Sequence, residues 1–159
     1  MSNSLIYYIG PFSFPEGGAA AKRILGNIKS LDCNVKVIDG KAFDEDMLYQ
    51  GINVISCSER PSKKDKLFKK IIKYITISNN TLNYIESQKD MPKAIILYSG
   101  YSPYLLRLIP FCKKHKIKLI FDCVEWYQPK RKLEYLYNPY YWNIEFSMRV
   151  LLKKCSSVI

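Results

Sequence analysis

With 159 residues the chain has the length of one domain and can bury a real core. Hydrophobic residues at 48% and aromatics at 14% exclude a disordered chain, and no apolar run is long enough to span a membrane. The formal charge of +11 is lopsided: residues 1–58 hold five Lys/Arg against six Asp/Glu, and residues 59–159 hold twenty against eight. An anionic membrane surface, an anionic substrate or nucleic acid can each use such a surface, and solvated lysines also account for it.

The chain opens on an apolar run, 5–9, that reads as a buried strand ended by Gly10-Pro11. A Gly- and Pro-punctuated loop follows and leads into an Ala-rich helix over about 18–31, with Ala21, Ile24, Leu25, Ile28 and Leu31 on one face. Residues 35–38 and 52–55 read as the second and third strands, with an acidic surface loop at 44–46 between them. The spacing predicts one long amphipathic helix over 65–87, whose stripe of Leu67, Phe68, Ile71, Ile72, Ile75, Leu82 and Ile85 packs on a sheet. On that reading only the lysines at its start and opposite the stripe (Lys63, Lys64, Lys66, Lys69, Lys70, Lys73) are left to meet solvent or phospholipid.

Residues 94–97 form a fourth strand, and Ser102-Pro103 suits the start of a helix reaching about His115. Pro110 inside that pattern predicts a kink or a later start. A fifth strand over 117–121 ends at Asp122, and Asn138-Pro139 opens a last helix. Residues 156–159 look like the beginning of a sixth strand. Strands that are continuous apolar runs, alternating with helices, predict a single Rossmann-like α/β domain with a doubly wound parallel sheet.

In such a sheet ligands bind outside the carboxyl ends of the strands. That edge comprises residues 10–18, 98–104 and 122–127. Gly17 and Gly18 open the first helix, where unpaired amides can hold a phosphate or carboxylate and no side chain blocks its approach. The loop matches neither the Gly-x-Gly-x-x-Gly fingerprint nor a P-loop, and a ligand-free βα turn explains it as well. Asp122 and Glu125 can accept sugar hydroxyls, act as a general base or bind a cation, and Trp126 and Tyr127 offer flat faces to a sugar ring. Packing of Trp126 and capping by Asp122 are the structural alternative. Tyr98, Ser99, Gly100 and Tyr101 suit a polar ligand, or a plain turn before a Ser-capped helix.

The five cysteines (Cys33, Cys57, Cys112, Cys123, Cys155) are odd in number and form no Cys-x-x-Cys pair. They read as reduced thiols of a cytoplasmic protein, with no metal site expected. The single histidine, His115, sits in a basic run that suits a helix C-terminus, so neither a zinc site nor a Ser-His-Asp triad can be built. No recognition motif for nucleic acid is present, and the expectation is that none is bound.

The chain resembles the N-terminal, acceptor-side domain of a family 4-like glycosyltransferase of the GT-B type. The resemblance rests on IYYIGPFSFPEGGAAAKR, on AIILYSGYSPYLLRLIPFCKKHKIKLIFDCVEWY, and on the last helix leading into KKCSSVI. It implies transfer of a sugar from a nucleotide-sugar donor to a glycan or lipid-linked acceptor, without a metal or other cofactor. It also implies that Gly17 and Gly18 approach the donor diphosphate, and that Tyr98, Ser99, Gly100, Tyr101, Trp126 and Tyr127 shape the acceptor side. Many family members carry a histidine after the fifth strand; here Asp122, Cys123 and Glu125 occupy that stretch, which makes Glu125 and Asp122 the catalytic candidates. The nucleotide-binding second domain of the family lies outside 1–159. The expectation is therefore an isolated chain without activity, a second-domain partner chain, and a cytoplasmic site at the inner membrane face. A non-catalytic membrane-docking subunit of a split transferase, or a stand-alone small-molecule-binding Rossmann domain, are the rival readings.

Overall fold

The computed structural model describes residues 2–41, 46–62, 64–99, 102–124 and 138–159. Its centre is a seven-stranded sheet of β1 (Ser2–Ile9), β2 (Cys33–Asp39), β3 (Met47–Tyr49), β4 (Ile52–Ser56), β5 (Ala94–Tyr98), β6 (Lys118–Asp122) and β7 (Ser157–Val158), in the order β3-β4-β2-β1-β5-β6-β7. All pairings are parallel except β3 with β4. The helices are α1 (Ala19–Lys29), α2 (Leu67–Thr76), α3 (Asn79–Ser87), α4 (Ser102–His115) and α5 (Pro139–Phe146), the last running into a π turn over Ser147–Leu151 and a 3-10 turn over Leu152–Lys154.

The apolar runs are two-faced because successive side chains on a strand point to opposite sides. Tyr8, Val35, Val37, Val54 and Ile96 join Ala21, Ile24 and Ile28 of α1 in one core layer. Tyr7, Ile9, Ile95, Leu97, Leu119 and Phe121 join Ile85 of α3, Leu105 and Leu108 of α4 and Leu151 in the other. Burial on both faces is why these strands carry no polar alternation. It is the doubly wound, Rossmann-like sheet that the sequence predicts.

Three features add to, narrow or correct the sequence reading. Residues 47–49 form an antiparallel edge strand, joined to β4 by Gln50 (φ 50°) and Gly51 (φ 81°), the positive-φ pair of a mirror-image hairpin turn. Helix α4 runs through Pro110 from Ser102, with no later start.

The third is the long helix, which breaks in two. Ile77 is buried in the core, Ser78 turns the chain at φ 82°, and the buried Glu59 accepts the Thr81 amide at 2.8 Å, and those of Ser78 and Asn80, at the start of α3. Only α3 then packs on the sheet: α2 buries none of its residues. Its apolar stripe does not face the core, contrary to the sequence reading.

Candidate functional site

The loop after β1 is held to the end of β2. Asp39 is fully buried and accepts the Phe14 amide at 3.0 Å and the Lys41 amide at 3.1 Å, while the Gly40 amide donates to the Phe12 carbonyl at 3.0 Å. Burial pushes Asp39 above its ordinary value, and the Phe14 amide bond pulls against it. Phe12 and Phe14 anchor the loop by inserting into the α1 core layer. The polar residues between and after them are thus carried at the carboxyl edge.

Gly17 is required by space: a Cβ there would lie 1.9 Å from the Ser13 carbonyl oxygen. Gly18 is required by conformation, with φ at 62° and nothing near its missing side chain. It precedes α1, whose start has no side-chain cap and no acid in its first turn. The amides there are oriented as a helix N-terminus presents them to an anion.

An open cavity of about 460 Å³ lies over this edge, lined by Pro11, Phe12, Ser13, Glu16, Gly17, Ala20, Arg60, Tyr98 and Ser99. Arg60 donates from Nη1 to Ser13 Oγ at 2.9 Å and from its amide to the Gly40 carbonyl at 2.9 Å. The remaining guanidinium N–H groups form the planar fork suited to phosphate. Glu16, also on the lining, is paired with Lys41 at 3.4 Å. On the far wall Tyr98 is half-buried against Phe12, ring centroids 5.6 Å apart and edge to face. Ser99 adopts φ 62°, and its amide bonds the Asp122 carbonyl oxygen at 3.1 Å. The structure therefore brings Gly17, Tyr98 and Ser99 to one cavity, with Gly18 beside it.

Asp122 ends β6 without any exposed surface. Its carboxylate accepts the Tyr8 hydroxyl, Arg23 Nη2 at 2.6 Å and Nε at 3.1 Å, and Asn27 Nδ2 at 3.4 Å. Asn27 Nδ2 also donates to Tyr8 Oη at 3.0 Å. Burial, then the bond to Asp122, pushes the Tyr8 phenol well above its ordinary value, and the same carboxylate raises Arg23. Asp122 thus ties β6 to β1 and α1. Glu125, Trp126, Tyr127, Gly100 and Tyr101 lie outside the described residues.

Sequence reasoning missed Arg60, Asp39 and the partners of Asp122. One signal was legible: Arg23 and Asn27 stand four residues apart, hence on one face of α1. Arg60 left none, because α1, β2, β3 and β4 all separate it from the glycine loop. Among the described residues no group of three or more His, Cys, Asp or Glu gathers to hold a metal ion, and no helix is long and apolar enough to cross a membrane.

No protein-family model matches the chain, and no curated protein matches it in sequence. Solved structures do. A sucrose-phosphate synthase from Thermosynechococcus elongatus superimposes on 98% of this chain with a TM-score of 0.63 at 12% identity. The chain has the Rossmann-like fold of a GT-B half domain. This GT-B-like chain spans 42% of the synthase's length. A UGT transferase from Siraitia grosvenorii in complex with UDP covers 74% of the chain at 14% identity and a TM-score of 0.46, the chain spanning 27% of it. The fold assignment rests on the first of the two.

Proposed function

We propose that this GT-B-like domain is the acceptor-side half of a glycosyltransferase, moving a sugar from a nucleotide-sugar donor to a glycan or lipid-linked acceptor. The observation that carries the reading is the cavity at the carboxyl edge, where a glycine loop, a helix N-terminus and Arg60 converge in a fold shared with sugar-transferring enzymes. As the acceptor hydroxyl attacks the anomeric carbon, the bond to the diphosphate breaks and negative charge gathers on the leaving oxygens. The amides after Gly17 and Gly18 and the Arg60 fork are the groups placed to meet that charge. A second Rossmann-like domain, on this or another polypeptide, supplies the nucleotide site.

Tyr98 and Ser99 line the acceptor wall in this reading, together with Gly100, Tyr101, Trp126 and Tyr127. Glu125 positions or deprotonates the acceptor hydroxyl. Asp122 serves as a positioning residue, fixing the end of β6 against Arg23 and Tyr8.

The test is a transfer assay with radiolabelled nucleotide-hexoses and total membranes from the native host. The 159-residue chain alone should be inactive, and addition of the chain carrying the second domain should give labelled glycan or glycolipid. In that assembly Arg60→Ala should lower kcat/KM by about tenfold or more, as loss of a charge-assisted bond to phosphate does. Full transfer by the isolated chain, or an Arg60→Ala assembly as active as the parent, refutes the assignment.

A further inference from the structure

Helix α2 is turned inside out. Leu67 and Phe68 are each 74% exposed, and Ile71, Ile72 and Ile75 lie between 44% and 56%. These five fall on one face at spacings of one, three and four residues. The lysine side of the helix faces the protein instead. Lys73 and Lys70 are half-buried, Lys73 Nζ donates to the Arg60 carbonyl oxygen at 3.4 Å, and both Lys69 and Lys73 reach Asp65 at 3.2 Å. Those contacts hold the apolar stripe outward.

We propose that α2 is a membrane-docking helix, seating its apolar stripe in the headgroup and acyl boundary of an anionic bilayer. Charge selects this occupant. Lys69 and Lys70 flank the stripe on its two sides, Lys64 and Lys66 precede it exposed, and Asp65 is the one acid among them. A row of ammonium groups beside an apolar face is complementary to anionic headgroups over acyl chains. Two copies meeting stripe to stripe would bring their lysines together, which the chain's charge of +11 aggravates. The same helical layer exposes Leu106 of α4 and Trp142 and Phe146 of α5. Through Lys73 and Arg60, docking sets the carboxyl-edge cavity close to the lipid surface. The proposal does not depend on the transferase reading, because it concerns adsorption of the chain and not chemistry.

The test is flotation of the 159-residue chain with vesicles of phosphatidylcholine, alone or with about a third phosphatidylglycerol. Binding should require the anionic lipid and weaken with salt. The double variant Phe68→Gln, Ile72→Gln touches no core residue, so its melting curve should match the parent's. Its partition coefficient should fall by about tenfold or more, since the stripe loses two large apolar groups. Lys66→Gln with Lys70→Gln should weaken binding and reduce its salt dependence. A parent that does not float with anionic vesicles overturns the proposal. So does equal binding by the double glutamine variant, which would leave adsorption to the lysines alone. A dimer seen by light scattering and dissolved by that variant also overturns it, by giving the stripe to a second copy.

Discussion

Arg23 holds the buried carboxylate of Asp122 through both Nη2, at 2.6 Å, and Nε, at 3.1 Å, and thereby fastens the first helix to the end of β6. The two residues are 99 positions apart, and the Tyr8 hydroxyl joins them from the central strand. Removing the carboxylate strands the buried Tyr8 hydroxyl and the half-buried Asn27 amide, and unpairs the Arg23 guanidinium. Asp122→Ala should cost about 3 kcal/mol in urea unfolding, and Arg23→Ala less, because the arginine side chain is 40% exposed and Tyr8 and Asn27 remain. A loss under about 0.5 kcal/mol for Asp122→Ala, the size of an ordinary surface change, would mean that the network does not hold the layers together.

The two glycines that open α1 should respond differently to alanine. At Gly17 the new methyl would meet the Ser13 carbonyl oxygen at 1.9 Å, so the loop itself must move. At Gly18 the space is open and only the φ of 62° is strained, a cost of about 1 kcal/mol. Thermal melts should therefore rank Gly17→Ala below Gly18→Ala, with the parent above both. The reverse order would show that the loop relaxes freely and that Gly17 is not held by Ser13.

Much of the fold was legible in sequence, because burial on both faces leaves continuous apolar runs and α1 and α4 carry their stripes at helical spacing. What escaped were features made by distant parts of the chain. The apolar period of α2 runs on into α3 without interruption, so no local pattern marks the break at Ile77 and Ser78. The break comes from Glu59, which reaches the amides of α3 from 22 positions upstream, on the far side of α2 in sequence. The outward orientation of α2 follows from its lysines finding Asp65 and the Arg60 carbonyl oxygen on the protein side, a pairing that the apolar period does not announce. Of the carboxyl edge, the glycine loop and the Tyr98-Ser99 wall could be read directly. Arg60 could not, since its contact with Ser13 spans 47 positions.

The cysteines divide by burial. Cys57 and Cys112 are buried, and desolvation pushes each thiol up to about 12, while Cys155 rises to about 11 for the same reason. A thiol so far above neutral pH supplies almost no thiolate. At neutral pH in the folded chain these three should resist an exposed-thiol reagent and react only on unfolding. Rapid labelling of Cys57 in the native chain, located by peptide mass, would contradict the burial of the Glu59–Thr81 region around it.

Acid should first stabilise and then destabilise the chain. Burial raises Glu59 above its ordinary value of 4.5, outweighing the Thr81 amide bond, and raises Asp39 above 3.8. The folded state therefore binds these protons more tightly than the unfolded chain. Their contribution is fully present below the unfolded values and is lost as pH rises through the folded ones. Asp65 acts in the opposite sense: the Ser62 amide, then Lys73 and Lys69, lower it from 3.8 to about 2. Its contribution is present above the unfolded value and disappears as pH falls toward the folded one. The urea midpoint should thus rise as pH falls through the folded-state values of Glu59 and Asp39 toward their unfolded ones, and fall again in stronger acid as Asp65 takes up its proton between 3.8 and about 2. Glu59→Gln should flatten the first limb while leaving the second, and Asp65→Asn should do the converse. An unchanged first limb in Glu59→Gln would place the responsible proton elsewhere, on Asp39 at the root of the glycine loop, where Asp39→Asn would remove it.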